Sequence, residues 1–275
     1  MKNKQKERGR PISNGDLCAR RMAKSLKINV VIPASGAGVR LGGDIPKQFL
    51  HLGGEPILKR TLAVFDSCEI VAEIAVAIPE GYADEVAAYN FPKVKHIVTG
   101  EKTRAESVFA ALKCFCQKQG DCLRLRENAP HPTCALGAHC ALGAPRAQII
   151  LIHDGVRPFV THDLIERVAQ AAKKYGAAIA ASPVTDTIKM VGADGKISAT
   201  PDRAALWQAQ TPQGFTYRDI LEAYAAAEPG GTLSAATDDS LLAERMGIRV
   251  KIVPSSPENI KITTPADLKI AEALL

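Results

Sequence analysis

The sequence lacks any long apolar run. No stretch of about 18 consecutive apolar residues occurs, so we expect no transmembrane helix. The first 27 residues also lack the apolar core of a secretory signal peptide, although their Arg and Ser content leaves a transit peptide open. Paired C-x-x-C motifs are absent as well, which removes the usual spacing of a zinc site. With 46% hydrophobic and 23% charged residues, the composition is typical of a soluble globular protein.

Cysteine usage argues against a disulfide framework. The chain of 275 residues has seven cysteines, an odd number that favours a reducing, cytoplasmic location. Five cysteines and two histidines share one region: Cys114, Cys116, Cys122, Cys134, Cys140, His131 and His139. A zinc site there stays open, but idle thiols are the simpler interpretation. Most of this region, residues 117–147, is rich in Pro and Gly and is predicted to be a surface insertion.

The positive net charge is concentrated at the N-terminus. The chain carries a net charge of +6, but residues 1–27 contain nine Lys or Arg and only two acidic residues. The rest therefore has a net charge of −1. We expect residues 1–27 to be a basic, disordered extension and residues 28–275 to form one nearly neutral domain. Neither nucleic acid nor a membrane is an expected partner.

Strand and helix patterns alternate along residues 28–275. For example, Asn29–Ile32 is rich in β-branched residues and predicts a buried strand, whereas Pro56–Ser67 has apolar residues at helical spacing. This alternation predicts an α/β fold with a mostly parallel, Rossmann-like sheet and helices on both faces. The segment 186–200 alternates apolar and polar residues around Ala193-Asp194-Gly195, which predicts a hairpin. Ligands of such sheets bind beyond the carboxyl ends of the strands.

A glycine-rich loop follows the first predicted strand. Its glycines, which include Gly36 and Gly38, allow backbone N–H groups to surround phosphate oxygens. Arg40 and Lys47 add cations to the same loop. The loop lacks the third glycine of the dinucleotide fingerprint and the G-K-[ST] of the P-loop, so neither pattern fits. An ordinary strand-to-helix turn is the alternative interpretation.

A second candidate segment, HDGVRPF, follows the apolar strand predicted at 148–152. It places Asp154 at the carboxyl end of that strand, where a carboxylate can hold a divalent cation against phosphates. Arg157 would lie near the same centre. The alternative is a structural Asp that caps the helix beginning near Thr161. No Ser-His-Asp or Cys-His arrangement stands out elsewhere in the chain.

The loop motif resembles a known signature, P-A-S-G-x-G-x-R followed by P-K-Q. Its members here are Pro33, Ala34, Ser35, Gly36, Gly38, Arg40, Pro46, Lys47 and Gln48. The sequence thus resembles the nucleotidyltransferases that join a nucleoside triphosphate to a sugar or polyol phosphate. Within them it is most similar to the 2-C-methyl-D-erythritol 4-phosphate cytidylyltransferase family, from about Ile28 to Leu275 apart from residues 117–147.

The resemblance implies a fold of the nucleotide-diphospho-sugar transferase type, in which a protruding β-arm pairs two subunits. The arm would span residues 186–203, and its Thr187, Lys189 and Arg203 would approach the polyol phosphate bound to the partner of a homodimer. Thr211 and Lys261 would bind the same substrate or its phosphates.

The resemblance also implies a nucleotide site. A segment G-G-x-x-R-x-x-S contacts the base and ribose in the family, and this chain keeps Gly100, Arg104 and Ser107, with Glu101 at the second glycine position. Pro33, Ala34, Ser35, Gly36 and Gly38 would bind the nucleotide in the loop. Asp154 would hold Mg²⁺.

The activity implied is Mg²⁺-dependent transfer of a cytidylyl group from CTP to 2-C-methyl-D-erythritol 4-phosphate, in the non-mevalonate isoprenoid pathway. Because the attacking phosphate is already ionised at neutral pH, the reaction needs alignment and charge neutralisation rather than a general base. Arg40 and Lys47 are the predicted catalytic residues. The alternatives are a cytidylyltransferase for another polyol phosphate such as D-ribitol 5-phosphate, and a non-catalytic nucleotide- or nucleic-acid-binding protein.

Overall fold

The computed structural model describes residues 26–36, 45–115, 148–228 and 231–275. The basic extension, most of the glycine-rich loop with Gly38 and Arg40, and the predicted insertion lie outside these ranges. The strands of the described residues are β1 (Ile28–Pro33), β2 (His51–Leu52), β3 (Glu55–Pro56), β4 (Val71–Ile78), β5 (Val94–Thr99), β6 (Ile149–Ile152), β7 (Ala177–Pro183), β8 (Met190–Val191), β9 (Ile197–Ala199), β10 (Trp207–Thr216) and β11 (Val250–Pro254). The helices are α1 (Ile57–Ser67), α2 (Ala83–Ala88), α3 (Arg104–Lys113), α4 (His162–Tyr175), α5 (Tyr217–Ala227), α6 (Asp239–Arg245) and α7 (Pro265–Ala273).

A sheet in the order β11-β7-β10-β6-β1-β4-β5 organises the described residues. All neighbouring strands run parallel except β10, which is antiparallel to both β6 and β7. The predicted mostly parallel α/β sheet is therefore confirmed.

Helices cover both faces of the sheet, as predicted. Successive side chains of a strand point to opposite faces, and β1 shows this alternation clearly. Val30 and Ile32 pack in one apolar cluster with residues of α1 and α4, whereas Val31 packs in a second cluster with residues of α3, α5 and α6. Since every residue of β1 is buried, this strand lies at the centre of the core. None of the described helices is long and apolar enough to cross a membrane.

Strand β10 is longer than the sequence pattern predicts. The sequence pattern predicts a strand from Leu206 to Gln210, but the strand runs from Trp207 to Thr216 and includes the segment TPQGF. Its pairing with β7 shifts register between Ala209 and Gln213, and from Gln213 onward it pairs with β6 as well. Hydrogen bonds from two neighbouring strands thus stabilise a segment whose Pro and Gly disfavour a strand on local grounds.

The arm is a hairpin of β8 and β9, as the sequence predicts. Its turn contains Gly195 at φ +76°, a left-handed conformation that glycine adopts without strain. All residues at 185–191 and 193–200 are exposed, among them the apolar side chains of Met190, Val191 and Ile197. The hairpin therefore protrudes from the sheet without burying its apolar side chains in its own chain.

Candidate active site

Asp154 lies at the centre of a buried ionic cluster beyond the carboxyl end of β6. Its Oδ1 accepts a hydrogen bond from Arg104 Nε at 3.0 Å. Its Oδ2 is 3.3 Å from Arg157 Nε and 3.0 Å from Lys261 Nζ. The structure therefore brings together four of the predicted site residues: Arg104, Asp154, Arg157 and Lys261. They come from α3, the β6–α4 loop and the β11–α7 loop.

The cations keep the Asp154 carboxylate ionised. Burial by itself raises the pKa of a carboxyl group, but Arg104, Lys261 and Arg157 together hold the pKa of Asp154 well below its usual range. Burial lowers the pKa of Arg157, and Asp154 opposes that effect. Asp154 therefore contacts three cationic side chains, and one of them, Arg104, also pairs with a second buried carboxylate, Asp239.

A line of hydrogen bonds fixes the backbone around Asp154. The Thr211 hydroxyl accepts from the Asp154 backbone N–H at 3.1 Å and lies 3.0 Å from His153 Nδ1. His153 Nε2 lies 3.0 Å from the Arg157 carbonyl oxygen. Burial lowers the pKa of His153 to about 4, so the ring is neutral at pH 7. A neutral ring that donates from Nε2 and accepts at Nδ1 satisfies all three groups.

The loop that contains Lys261 is tied to the same centre. Arg157 Nη1 donates to the Asn259 carbonyl at 2.7 Å, and Asn259 Nδ2 donates to the Thr211 carbonyl at 2.8 Å. Asn259 is 2% exposed. The β11–α7 loop is thus held against both β10 and the β6–α4 loop, which sets the position of Lys261.

The start of the nucleotide loop packs against the turn before α3. The Ser35 and Ser107 hydroxyls lie 2.9 Å apart, and Ser107 Oγ accepts from the Glu101 backbone N–H at 2.9 Å. A Cβ at Gly100 would lie 1.9 Å from the Ser35 Cβ. Only glycine allows this close approach, so Ser35, Gly100 and Ser107, which are predicted to bind the nucleotide, pack directly together, with Ser107 itself 0% exposed.

The described remainder of the loop places Lys47 near Gly36. Lys47 begins a short 3₁₀ helix, Lys47–Phe49, and its Cε lies 4.0 Å from the position of a Cβ at Gly36. Pro33 ends β1, and Ala34 packs closely against Gly155, the residue after Asp154. The structure therefore joins the ends of β1 and β6 at one edge of the sheet.

The arm residues predicted to bind substrate lie apart from this cluster. Lys189 Nζ donates to Thr200 Oγ1 at 2.9 Å, and Arg203 Nη1 donates to the Thr185 carbonyl at 2.6 Å. Thr187, Lys189 and Arg203 are all exposed. Their predicted role in a partner's site stays a prediction.

The sequence matches the family model of 2-C-methyl-D-erythritol 4-phosphate cytidylyltransferase over residues 28–126 and 137–275. The chain belongs to this family. The match passes over residues 127–136, inside the segment predicted to be an insertion.

Relatives that carry the family's name align with most of the chain. The 2-C-methyl-D-erythritol 4-phosphate cytidylyltransferase of Symbiobacterium thermophilum is 40% identical over 248 residues, which cover 90% of this chain and 92% of the relative. The protein of the same name from Geobacter metallireducens is 40% identical over 258 residues, covering 91% and 98%.

Solved structures of the family agree in fold. The 4-diphosphocytidyl-2C-methyl-D-erythritol synthase of Anaerococcus prevotii superimposes with a TM-score of 0.70 at 28% identity, covering 92% of this chain and 98% of that chain. The 2-C-methyl-D-erythritol 4-phosphate cytidylyltransferase of Thermus thermophilus gives a TM-score of 0.65 at 32% identity, covering 90% and 98%.

Sequence reasoning missed two residues that the structure places at this centre, Asp239 and Asn259. Asp239 is fully buried, and its carboxylate accepts hydrogen bonds from both terminal nitrogens of Arg104, with N···O distances of 2.9 and 2.8 Å. The only local signal was Thr237-Asp238-Asp239, which resembles a helix cap, and Asp238 is indeed the N-cap of α6. Asn259 was visible only as part of the segment N-I-K. Neither pattern indicates a partner on another element.

Proposed function

We propose that this chain transfers the cytidylyl group of CTP to 2-C-methyl-D-erythritol 4-phosphate and releases pyrophosphate. The observation that carries the proposal is the cluster of Arg104, Arg157 and Lys261 around the buried Asp154. It lies beside the nucleotide turn, at the edge of the sheet where ligands of α/β folds bind. Membership in the cytidylyltransferase family supplies the identity of the two substrates.

In this reaction a phosphate oxygen of the polyol phosphate attacks the α-phosphorus of CTP. A new P–O bond forms, and the bond from the α-phosphorus to the bridging oxygen breaks, so that pyrophosphate leaves with the electron pair. The nucleophile is an anion at neutral pH, so the protein must align two anions and offset their repulsion. Lys47 and Arg40 act on the α-phosphoryl group and the pyrophosphate, while Thr211 and Lys261 position the phosphates.

Asp154 also fits the role of a magnesium ligand. Mg²⁺ in nucleotide sites is commonly held by one or two carboxylates together with substrate phosphates. Among the described residues no group of three or more His, Cys, Asp or Glu side chains comes together. With Asp154 as the carboxylate ligand, substrate phosphates and water would supply the other ligands. Asp154 Oδ1 accepts from Arg104, and a carboxylate oxygen has a second lone pair for a metal. When bound, Mg²⁺ would neutralise charge on the triphosphate.

The arm is proposed to form the contact between two subunits. Its apolar side chains at Met190, Val191 and Ile197 are 54, 59 and 63% exposed. Val191 and Ile197 are paired across the hairpin, and apolar side chains exposed side by side favour a protein–protein contact. A homodimer through the arm would also bring Thr187, Lys189 and Arg203 toward the other subunit's site.

The test of the function is pyrophosphate release from CTP and Mg²⁺ with two acceptors in parallel. Release with 2-C-methyl-D-erythritol 4-phosphate alone supports the proposal. Release with D-ribitol 5-phosphate instead would keep the mechanism but replace the acceptor. Binding of CTP without release with either acceptor would contradict the proposed activity and favour a non-catalytic nucleotide-binding protein.

Lys47→Ala tests the mechanism. We expect turnover to fall by roughly 100-fold because a cation that stabilises the transition state is lost. The melting temperature should change little. Lys59→Ala is the matched control, since Lys59 is a half-exposed lysine that pairs with Glu55 on α1's surface. Wild-type turnover in Lys47→Ala would contradict the assigned role of Lys47.

A further inference from the structure

Asp239 is a carboxylate buried deep beside the nucleotide turn. It is 0% exposed and lies at the first residue of α6. Arg104 donates to it through both terminal nitrogens, Nη1 to Oδ1 and Nη2 to Oδ2. The Tyr224 hydroxyl donates to Oδ1 as well. Removing a carboxylate from water costs several kcal/mol of folding free energy unless hydrogen bonds and opposite charges compensate. The donors of Arg104 and Tyr224 supply that compensation.

The two-point contact restricts the Arg104 side chain. A guanidinium that donates in parallel to both oxygens of one carboxylate is fixed in plane and in direction. With that edge on Asp239, the Nε–H of Arg104 points to Asp154 Oδ1. A guanidinium has five N–H groups, and among the described residues Asp239 and Asp154 accept from three of them. The side chain of Arg104 is 29% exposed, so it reaches the surface of the site.

Tyr224 holds the Asp239 carboxylate through a hydrogen bond from its hydroxyl group. Tyr224 is fully buried on α5, and its ring stacks on Phe109 with centroids 5.6 Å apart. Phe109 lies on α3, the same helix that begins with Arg104. Burial raises the pKa of Tyr224 well above its usual value, and Asp239 raises it further, so the hydroxyl remains a donor. Three helices are thereby joined around one guanidinium.

We propose that Asp239 is a positioning residue of the nucleotide site, which orients Arg104 between the turn at Gly100 and Asp154 and thereby sets the affinity for the cytidine nucleotide. The inference rests on the proposed function. It differs from a purely structural role because Arg104 belongs to the nucleotide side of the site, whereas the acceptor phosphate depends on Thr211, Lys261 and the arm. Loss of Asp239 should therefore weaken CTP binding much more than acceptor binding.

The experiment compares Asp239→Asn with a matched variant on the same helix. The Asn side chain keeps the shape but places an N–H donor opposite the donors of Arg104, which leaves Arg104 misaligned. We expect the KM for CTP, and the dissociation constant of CTP measured by calorimetry, to rise at least tenfold. The KM for the acceptor should stay within twofold.

Asp238→Asn is the control. Asp238 is the neighbouring carboxylate and caps α6, but its partners are Gln213, Ser240 and the Leu241 N–H rather than Arg104. This variant should lower the melting temperature without changing the ratio of the two KM values. An equal change of that ratio in both variants would show that α6 acts only structurally and would overturn the inference.

Tyr224→Phe keeps the inference testable if Asp239→Asn does not fold. It removes only the hydroxyl that donates to Asp239, so we expect a two- to threefold rise in the dissociation constant of CTP, with the acceptor KM unchanged. Unchanged CTP affinity in every variant that folds would contradict the inference. A wild-type protein that binds CTP but releases no pyrophosphate would contradict the proposed function while leaving the binding comparison decisive.

Discussion

The cluster around Asp154 and the arm carry similar side chains in opposite surroundings. In the cluster, Asp154 is buried and contacts cations from three separate parts of the chain. In the arm, Asp194 pairs with Lys196 two residues away, and both side chains are more than half exposed. Charges of the first kind are positioned by the folded core of one chain. Charges of the second kind gain a fixed position only against another surface, which is why the arm is proposed to act in a dimer.

The largest expected difference between the two regions concerns their carboxylates. Asp154→Asn leaves Arg157 and Lys261 without their anion, and breaking a buried ion pair in this way costs about 3–5 kcal/mol. Asp194→Asn removes an exposed pair worth about 0–1 kcal/mol. Urea denaturation of both variants measures the two losses. Equal losses would mean that the ions around Asp154 are as well solvated as those of the arm.

A second comparison uses glycine. Gly100→Ala places a Cβ 1.9 Å from the Ser35 Cβ, so the nucleotide turn must shift. We expect a loss of about 1–3 kcal/mol in the free energy of unfolding, as for other overpacked sites, together with weaker CTP binding. In the arm, the Cβ of Gly192→Ala meets the end of the Asp194 side chain at 3.0 Å and the Lys196 carbonyl oxygen at an ordinary 3.9 Å. Calorimetry with CTP should find that variant unchanged, and weakened binding there would contradict the separation of the two regions.

The smallest effect on folding is expected at the apolar side chains of the arm. Ile197→Lys changes a residue that is 63% exposed, so the free energy of unfolding should move by less than about 0.5 kcal/mol. The dimer contact should be lost, and the mass measured by light scattering should fall to that of one subunit. Turnover should drop by about tenfold or more because charge-assisted contacts of the arm are lost.

Ile270→Lys is the control for that experiment. Ile270 is 52% exposed on α7, outside the arm. The Ile270→Lys variant should therefore keep the wild-type assembly. If both variants keep the two-subunit mass, or if the wild type itself has the mass of one subunit, the proposed role of the arm is wrong.

Local patterns were sufficient for most of the fold. The β-branched run of β1 predicted a buried strand. A glycine directly after a helical pattern indicates a left-handed helix end, and Gly176 ends α4 in this way, at φ +88°. Gly195 marked the arm's turn in the same way. The length of β10 was not predictable, because its Pro and Gly disfavour a strand and only pairing with β6 and β7 extends it.

For the site, local sequence patterns were enough to indicate the chemistry of single positions. An acid directly after an apolar strand predicted Asp154 at the sheet edge, and the glycine-rich loop predicted a phosphate site. Only the tertiary structure decided the partners. Arg104 and Asp239 are 135 residues apart, and Asp154 meets Lys261 across more than 100 residues. Periodicity and turn chemistry act over a few residues, whereas a buried ion pair depends on which elements the core packs side by side.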